Sequence, residues 1–271
     1  MLASWRALPE IDGAWVIRID EALECARLLV EDYLLIVPLR PDAHGRYRVH
    51  GDEVAITAGR TQLREPGDVQ LTLDRRSTSV HVLWLPVAYV EAVARALGWP
   101  AAPHWRGLAV DDPTLFAAQR QLHAGLEGEG CEDLEVALRQ LLSLALERHA
   151  DRRPHAGRGV LRELAAVREH LRLHLAERVT LAELAAIDGI QAQHLAHMFT
   201  AAFGVAPDEY QILLRVNAAR ALLTAGASLA GAAAQVGFTD PAQLTRHFRR
   251  AFAVTPVAYL RDLAAGPLKH R

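Results

Sequence analysis

The stretch Ala233-Ala-Gln-Val-Gly-Phe-Thr-Asp-Pro-Ala-Gln-Leu-Thr-Arg-His-Phe-Arg-Arg-Ala-Phe-Ala-Val-Thr-Pro-Val-Ala-Tyr259 decides how the C-terminal part of the chain folds. Its apolar positions repeat a segment 49 residues earlier: Leu195, Phe199, Phe203, Pro207 and Tyr210 return as Leu244, Phe248, Phe252, Pro256 and Tyr259. A fixed-period echo of this kind signals a repeated structural unit. Each copy follows a short run of small residues ending in Gly, Thr180-Leu-Ala-Glu-Leu-Ala-Ala-Ile-Asp-Gly189 and Ser228-Leu-Ala-Gly-Ala-Ala-Ala-Gln-Val-Gly237. Short helix, Gly-containing turn and longer helix make the helix-turn-helix pattern. Two in tandem predict a protein that reads adjacent major grooves of DNA.

Working outward, the segments from Arg158 onward all read as helix: Val160 to Ala176, Leu181 to Ala186, Ala192 to Ala202, Pro207 to Leu223, Leu229 to Val236, Pro241 to Ala251 and Pro256 to Leu263. Thr180 and Ser228 are placed as N-caps, and Glu183 completes a capping box that the second copy lacks. Gly189 and Gly237 suit the turns, and Pro207, Pro241 and Pro256 suit first-turn positions. The helix from Pro207, with Ile212, Leu213, Val216, Ala219, Leu222 and Leu223 on its apolar stripe, spans about 25 Å. Such a strut can hold two helices roughly 34 Å apart along one face of a duplex.

Leu244, Phe248 and Phe252 fall at core-facing positions, which turns Ala242, Gln243, Arg246, Arg249 and Arg250 outward. Arg246 can donate two bonds to guanine, Gln243 can bond adenine, and the arginines one turn on can hold phosphates. In the first copy Leu195, Phe199 and Phe203 form the core side and leave Gln193, Ala196, His197 and Thr200 outside, a far less cationic surface. The second copy is therefore expected to supply more of the phosphate attraction.

Composition agrees. The 271 residues are 51% hydrophobic and 23% charged, the profile of a globular chain with two domains. From Arg158 onward there are 13 Lys+Arg and 9 Asp+Glu, a balance of +4, which leaves 17 basic and 23 acidic residues, or −6, in the N-terminal part. The basic half is the half with the repeats, as phosphate attraction requires. No apolar run reaches the length of about 18 residues that a membrane span needs. The first residues lack the layout of a secretory signal, and Cys25 and Cys131 are too few for a disulfide scaffold or a four-Cys zinc site, so a reducing cytoplasm is the expected location.

Up to about Leu85 the chain reads as short strands: Tyr33 to Leu39, Tyr47 to His50, Glu53 to Thr57, Val69 to Leu73 and Ser79 to Trp84, separated by Gly, Pro and Asp turns. This predicts a small antiparallel barrel or sandwich, followed by helices over Pro86 to Leu97, Pro113 to Leu126 and Glu132 to His149. The last carries Leu134, Leu138, Leu141, Leu142 and Ala145 on one stripe, either core or the face of a homodimer through 132–149. Residues 1–150 are read as one domain, the Pro, Gly and charge of 151–159 as a linker, and 160–265 as a second domain that carries the repeats.

The stretch from about Leu161 to Leu263 resembles the DNA-binding domain of AraC/XylS-type transcription regulators. Its segment Ala233 to Tyr259 is similar to the family pattern Ala-x-x-Val-Gly-Phe-x-Asp-x-x-x-Phe-x-Arg-x-Phe-Lys-x-x-x-Gly-x-Thr-Pro-x-x-Tyr. His197 and Thr200 depart from the Arg and Lys common in relatives, and Ala253 replaces the usual Gly. The resemblance implies an α+β chain with an N-terminal cupin-like domain and two C-terminal helix-turn-helix motifs, with effector binding and dimerisation in 1–150 and DNA binding in 160–265. It implies sequence-specific binding of promoter DNA, with Gln193, His197, Ala242, Gln243 and Arg246 reading bases, and RNA polymerase as a partner if the protein activates. Thr200, Arg249 and Arg250 are the expected phosphate contacts. A small-molecule effector is expected in the N-terminal domain, for which Tyr33, His50, His81 and Trp84 offer aromatic surface and hydrogen-bonding tips.

Two other classes make demands that the chain does not meet. A cupin-type metalloenzyme with an accessory DNA module needs convergent donors, and the seven histidines before Arg158 contain no His-x-His pair. A DNA-alkyl acceptor needs a reactive Cys beside a Cys-rich zinc site. No enzyme activity, metal or cofactor is expected. Control by a protein partner, with no small-molecule effector, is the remaining alternative.

Overall fold

The two apolar runs with little polarity alternation, Tyr33–Pro38 (β4) and Val80–Leu85 (β9), are buried along their whole length. Continuous apolar sequence is what a strand covered on both faces requires. In the computed structural model, which describes residues 3–8, 11, 13–19, 27–77, 79–100, 102–126, 133–151, 163–252 and 254–264, these strands form the middle of a six-stranded antiparallel sheet. Its order is β1 (Ala3–Ala7), β2 (Trp15–Ile19), β9, β4, β7 (Thr61–Arg64) and β11 (Ala109–Val110). A four-stranded sheet runs β3 (Arg27–Leu29), β8 (Val69–Ser77), β5 (His44–Val49) and β6 (Asp52–Ile56).

The period-2 alternation of the strands sorts their side chains into two cores. Tyr33, Leu35, Leu63, Leu83 and Leu85 pack with α1 (Val87–Ala96), α2 (Pro113–Ala124) and α3 (Leu134–His149). Leu34, Ile36, Val80, Val82 and Trp84 face the other way, into a cluster shared with the C-terminal helices. Leu138, Leu141, Leu142 and Ala145 on α3 are buried within the chain, while Leu134 of the same stripe is half-buried and Val136 on this helix is exposed.

Strands β1, β2, β3 and β7 lie outside the segments that the sequence pattern predicts. β7 is instructive because it is polar and yet wholly buried. Its Arg64 guanidinium donates to the Gln62 and Gln70 side chains and to the Leu63 and Leu108 carbonyls, all at 2.9–3.0 Å. Burial lowers its pKa to about 10, which leaves it protonated at neutral pH. A buried charge is tolerable only when its donors are used in this way.

Asp151 pairs with His104 in a two-stranded ladder of β10 (His104–Trp105) and β12 (Ala150–Asp151). The remainder of the expected linker, residues 152–159, lies outside the described residues. Beyond it come α4 (Ala165–Leu173), α5 (Leu181–Asp188), α6 (Ala192–Phe203), α7 (Pro207–Thr224), α8 (Leu229–Gln235), α9 (Pro241–Phe252) and α10 (Pro256–Ala264). The chain is thus α+β, with a sheet-rich N-terminal part and an all-helical C-terminal part. No helix among the described residues is long and apolar enough to cross a membrane.

Candidate nucleic-acid interface

The repeat read in the sequence builds the same object twice. Phe199 sits 4.6 Å from Phe203 and 5.3 Å from Tyr210 between ring centroids, and Phe248 sits 4.7 Å from Phe252 and 5.5 Å from Tyr259. Leu195 and Leu244 complete the two cores, fully buried. The helices before them start as their caps require. The Thr180 hydroxyl accepts from the Glu183 amide at 3.3 Å while the Glu183 carboxylate accepts from the Thr180 amide at 2.7 Å, a full capping box. Ser228 has only the forward bond, from Gly231 N at 3.0 Å.

Each turn glycine has a positive φ, 64° at Gly189 and 84° at Gly237, where a side chain is strained. Gly237 is doubly constrained, because a Cβ there would meet the Ala176 backbone carbonyl at 2.4 Å. The second unit therefore touches the end of the α4 region at backbone distance. Arg215, on α7, locks that junction: it donates to Leu175 O at 2.7 Å, Glu177 O at 2.7 Å and Gly237 O at 2.8 Å. Gln211 adds a bond to His174 O at 2.9 Å. The strut thus holds both units through named bonds as well as its apolar stripe.

On α9 the side turned from the core carries Ala242, Arg246, Arg249 and Arg250, all exposed, with Gln243 half-buried. The N-terminus of this helix is capped by Asp240, whose carboxylate accepts from Gln243 N at 2.7 Å and is held below its ordinary pKa mainly by that bond. The Gln243 side-chain oxygen accepts from Thr239 N at 2.9 Å and from its hydroxyl at 3.1 Å. With the oxygen so occupied, the hydrogen-bonding capacity left to the side chain is that of its amide N–H donors. His247 flanks this face, stacked on Phe238 at 5.6 Å. Burial first, then Arg250 and Arg246, lower its pKa, so it is a neutral ring at neutral pH rather than a fourth cation.

On α6 Gln193, His197 and Thr200 are exposed, and Ala196 is half-buried. His194 is exposed beside them, and reasoning from helical faces does not single it out. A signal for it exists all the same: His194 lies 49 positions before Gln243 and so occupies the same place in the first unit.

The four N-terminal effector candidates are not brought together. Tyr33 lies on the helical side of the sheet, donating to Pro103 O at 2.7 Å with its ring edge-on to Trp105. His81 is buried on that side too, stacked on His123 of α2 at 4.2 Å between ring centroids. Trp84 points to the opposite face, where its indole N–H bonds Asp32 at 2.6 Å and the Arg220 guanidinium lies 4.7 Å over its ring. His50, at the tip between β5 and β6, reaches α6 instead of a barrel interior. A separate cleft of about 390 Å³ lies where the two parts of the chain meet, lined by Arg27, Glu209, Ile212, Leu213, His247 and Arg250 among others.

A family model described as a helix-turn-helix domain matches residues 184–262, from within α5 to within α10. Among solved structures, an apo form of ToxT from Vibrio cholerae strain SCE256 is similar with a TM-score of 0.56 at 13% identity, covering 96% of each chain. Wild-type ToxT of the same strain, bound to an unsaturated fatty acid, gives 0.54 at 13% identity, covering 99% of this chain and 97% of that one. A further ToxT structure from Vibrio cholerae gives 0.53 at 11% identity, covering 96% and 97%. No curated protein matches the chain. These likenesses extend the fold of ToxT over nearly the whole chain, and the match at 184–262, which spans the two aromatic cores, identifies the C-terminal part as an AraC-type helix-turn-helix domain.

Proposed function

We propose that the protein is a sequence-specific transcription regulator that reads promoter DNA with α6 and α9 in successive major grooves. The observation that carries this reading is the face of α9: three exposed arginines and no acidic residue on a helix whose opposite side is core. Base contacts are assigned to Gln193, His197, Ala242, Gln243 and Arg246, joined by His194, and phosphate contacts to Thr200, Arg249 and Arg250. Gel-shift and footprinting titrations over promoter fragments test it. Two protected patches about one helical turn apart are expected. Binding no tighter to any fragment than to bulk competitor overturns it.

The N-terminal domain is proposed to bind a small-molecule effector whose binding favours one arrangement of the two helix-turn-helix units. An amphipathic acid is the favoured chemistry. The fatty-acid complex of the structurally similar ToxT supports it. So does Arg220, whose Nε has no hydrogen-bond partner among the described residues while its guanidinium lies near the Trp84 and Phe252 rings, with Glu31 as a neighbouring charge. Thermal melting with unsaturated fatty acids and a panel of other metabolites tests this, with a concentration-dependent rise in Tm expected for the binder.

A further inference from the structure

We infer that His50 is a proton-dependent clamp that fixes the first helix-turn-helix unit to the N-terminal domain. His50 stands at the first position of the His50-Gly51 turn with φ +52°, followed by Gly51 at +86°. Two successive positive φ values define the hairpin turn in which Asn-Gly is the favoured pair. A histidine there carries strain that local structure does not require, and such outliers point to a role outside the turn.

That role is visible in its ring. Nδ1 lies 2.8 Å from the carbonyl oxygen of Ala202, in the last turn of α6, and Nε2 lies 2.6 Å from the Asp68 carboxylate. A carbonyl only accepts. Asp68 is a buried carboxylate that already accepts from Glu65 N through its other oxygen at 3.0 Å. With acceptors on both sides, both ring nitrogens must donate, and only the imidazolium does so. A cation against the C-terminal turn of α6 is also favoured by the helix dipole.

The surrounding groups leave the cation paired by Asp68. Tyr47 lies on the same hairpin. Glu65 is occupied by His104 and Trp105 N. From the helical side Arg168 of α4 lies over Phe203 and donates to the Tyr210 hydroxyl of α7, and α6 itself presents its carbonyl end. The contact is close-packed: the His50 ring is edge-on to Phe203, and Gly204 faces Leu71 so closely that a Cβ would lie 3.1 Å from it. Raising the pH removes one of the two donated protons and with it one of the two bonds. The consequence for promoter reading rests on the function proposed above; the clamp itself does not.

The test uses the full chain without DNA. His50→Asn supplies the residue that the turn prefers and removes the bridging ring, while Asp68→Asn removes the counter-charge. Histidine-selective NMR at pH 6 is expected to show protons on both His50 nitrogens. Amide exchange, corrected for its intrinsic pH dependence, is expected to show protection over 199–206 falling about ten- to a hundredfold as the ring deprotonates, the worth of one charge-assisted bond. His50→Asn should show the low protection at every pH, with 244–252 unchanged as the internal reference. If His50→Asn fails to fold, Asp68→Asn carries the same comparison. Protection over 199–206 that is the same in variant and wild type, or a His50 ring bearing a single N–H at pH 6, overturns the clamp. Proton-dependent protection in a chain that prefers no promoter would leave the clamp standing and remove the function reading instead.

Discussion

The first and second helix-turn-helix units share a core and differ in nearly everything they show to solvent. The spacings from Phe199 and Phe248 to the other two rings of their triads agree to within about 0.2 Å, while the remaining pair is 5.3 Å apart in the first unit and 6.2 Å in the second, yet α9 displays Arg246, Arg249 and Arg250 where α6 displays His197, Thr200 and Ala201. Core positions are constrained by volume and close packing, whereas exposed positions are free to specialise. On the function proposed above, the second unit would hold phosphate strongly and the first would add polar contacts with little charge. The units also dock differently on the N-terminal sheets: the second shares an apolar cluster with Ile36, Val82 and Trp84, and the first meets Leu29, Val69 and the His50 contact.

The largest effect expected tests the shared core. Phe248→Ala and Phe199→Ala each remove a fully buried ring and should each cost about 3–5 kcal/mol in denaturant unfolding. A large inequality would show that one unit leans on the N-terminal domain for stability and break the symmetry of the comparison. Next come the reading faces. Arg246→Ala should lose about 1–3 kcal/mol of discrimination at one base pair, and His197→Ala less, in competition gel shifts. Arg250→Ala should weaken all sequences alike and reduce the slope of log K against log salt by about one. Equal losses on specific and random DNA for Arg246→Ala would undo the division between base and phosphate contacts.

Capping gives a smaller contrast. Thr180→Ala breaks a reciprocal pair and Ser228→Ala a single bond, so the former should cost more within the usual range of about 0.5–2 kcal/mol. The smallest effect is in pH. Because the folded protein holds His247 below the ordinary imidazole value of 6.5, the folded form binds protons less readily than the unfolded one. Its contribution to stability is therefore full above about pH 6.5 and is lost as the pH falls through the folded value. Melting curves of His247→Gln against wild type between pH 7.5 and 5 should converge toward the acid end.

The helical half was legible because periodicity, caps and turn glycines all pointed one way. The 49-residue echo even contained His194, which helical-face reasoning overlooks when the two copies are treated separately. In the N-terminal half the apolar runs of β4 and β9 were readable, but Thr61, Gln62 and Arg64 look like solvent-facing residues. Arg64 is buried with its bonds completed by Leu108, far along the chain, and the equally distant β11 pairs with Thr61 and Gln62. The alternation that sends His81 and Trp84 to opposite faces was also readable, while the destination of His50 was not. Its partner lies 152 residues away, and no local pattern encodes that meeting.

Arg215 carries one last implication, for the DNA rather than the protein. With two carbonyls from the segment leading into the first unit and one from the turn of the second gathered on one guanidinium, the gap between the proposed reading helices would have little slack to follow a target of altered length. Each base pair inserted between the two contacted segments would rotate the second by about 34° around the duplex. Operators for this protein should therefore tolerate changes of letter between the two segments far better than changes of count.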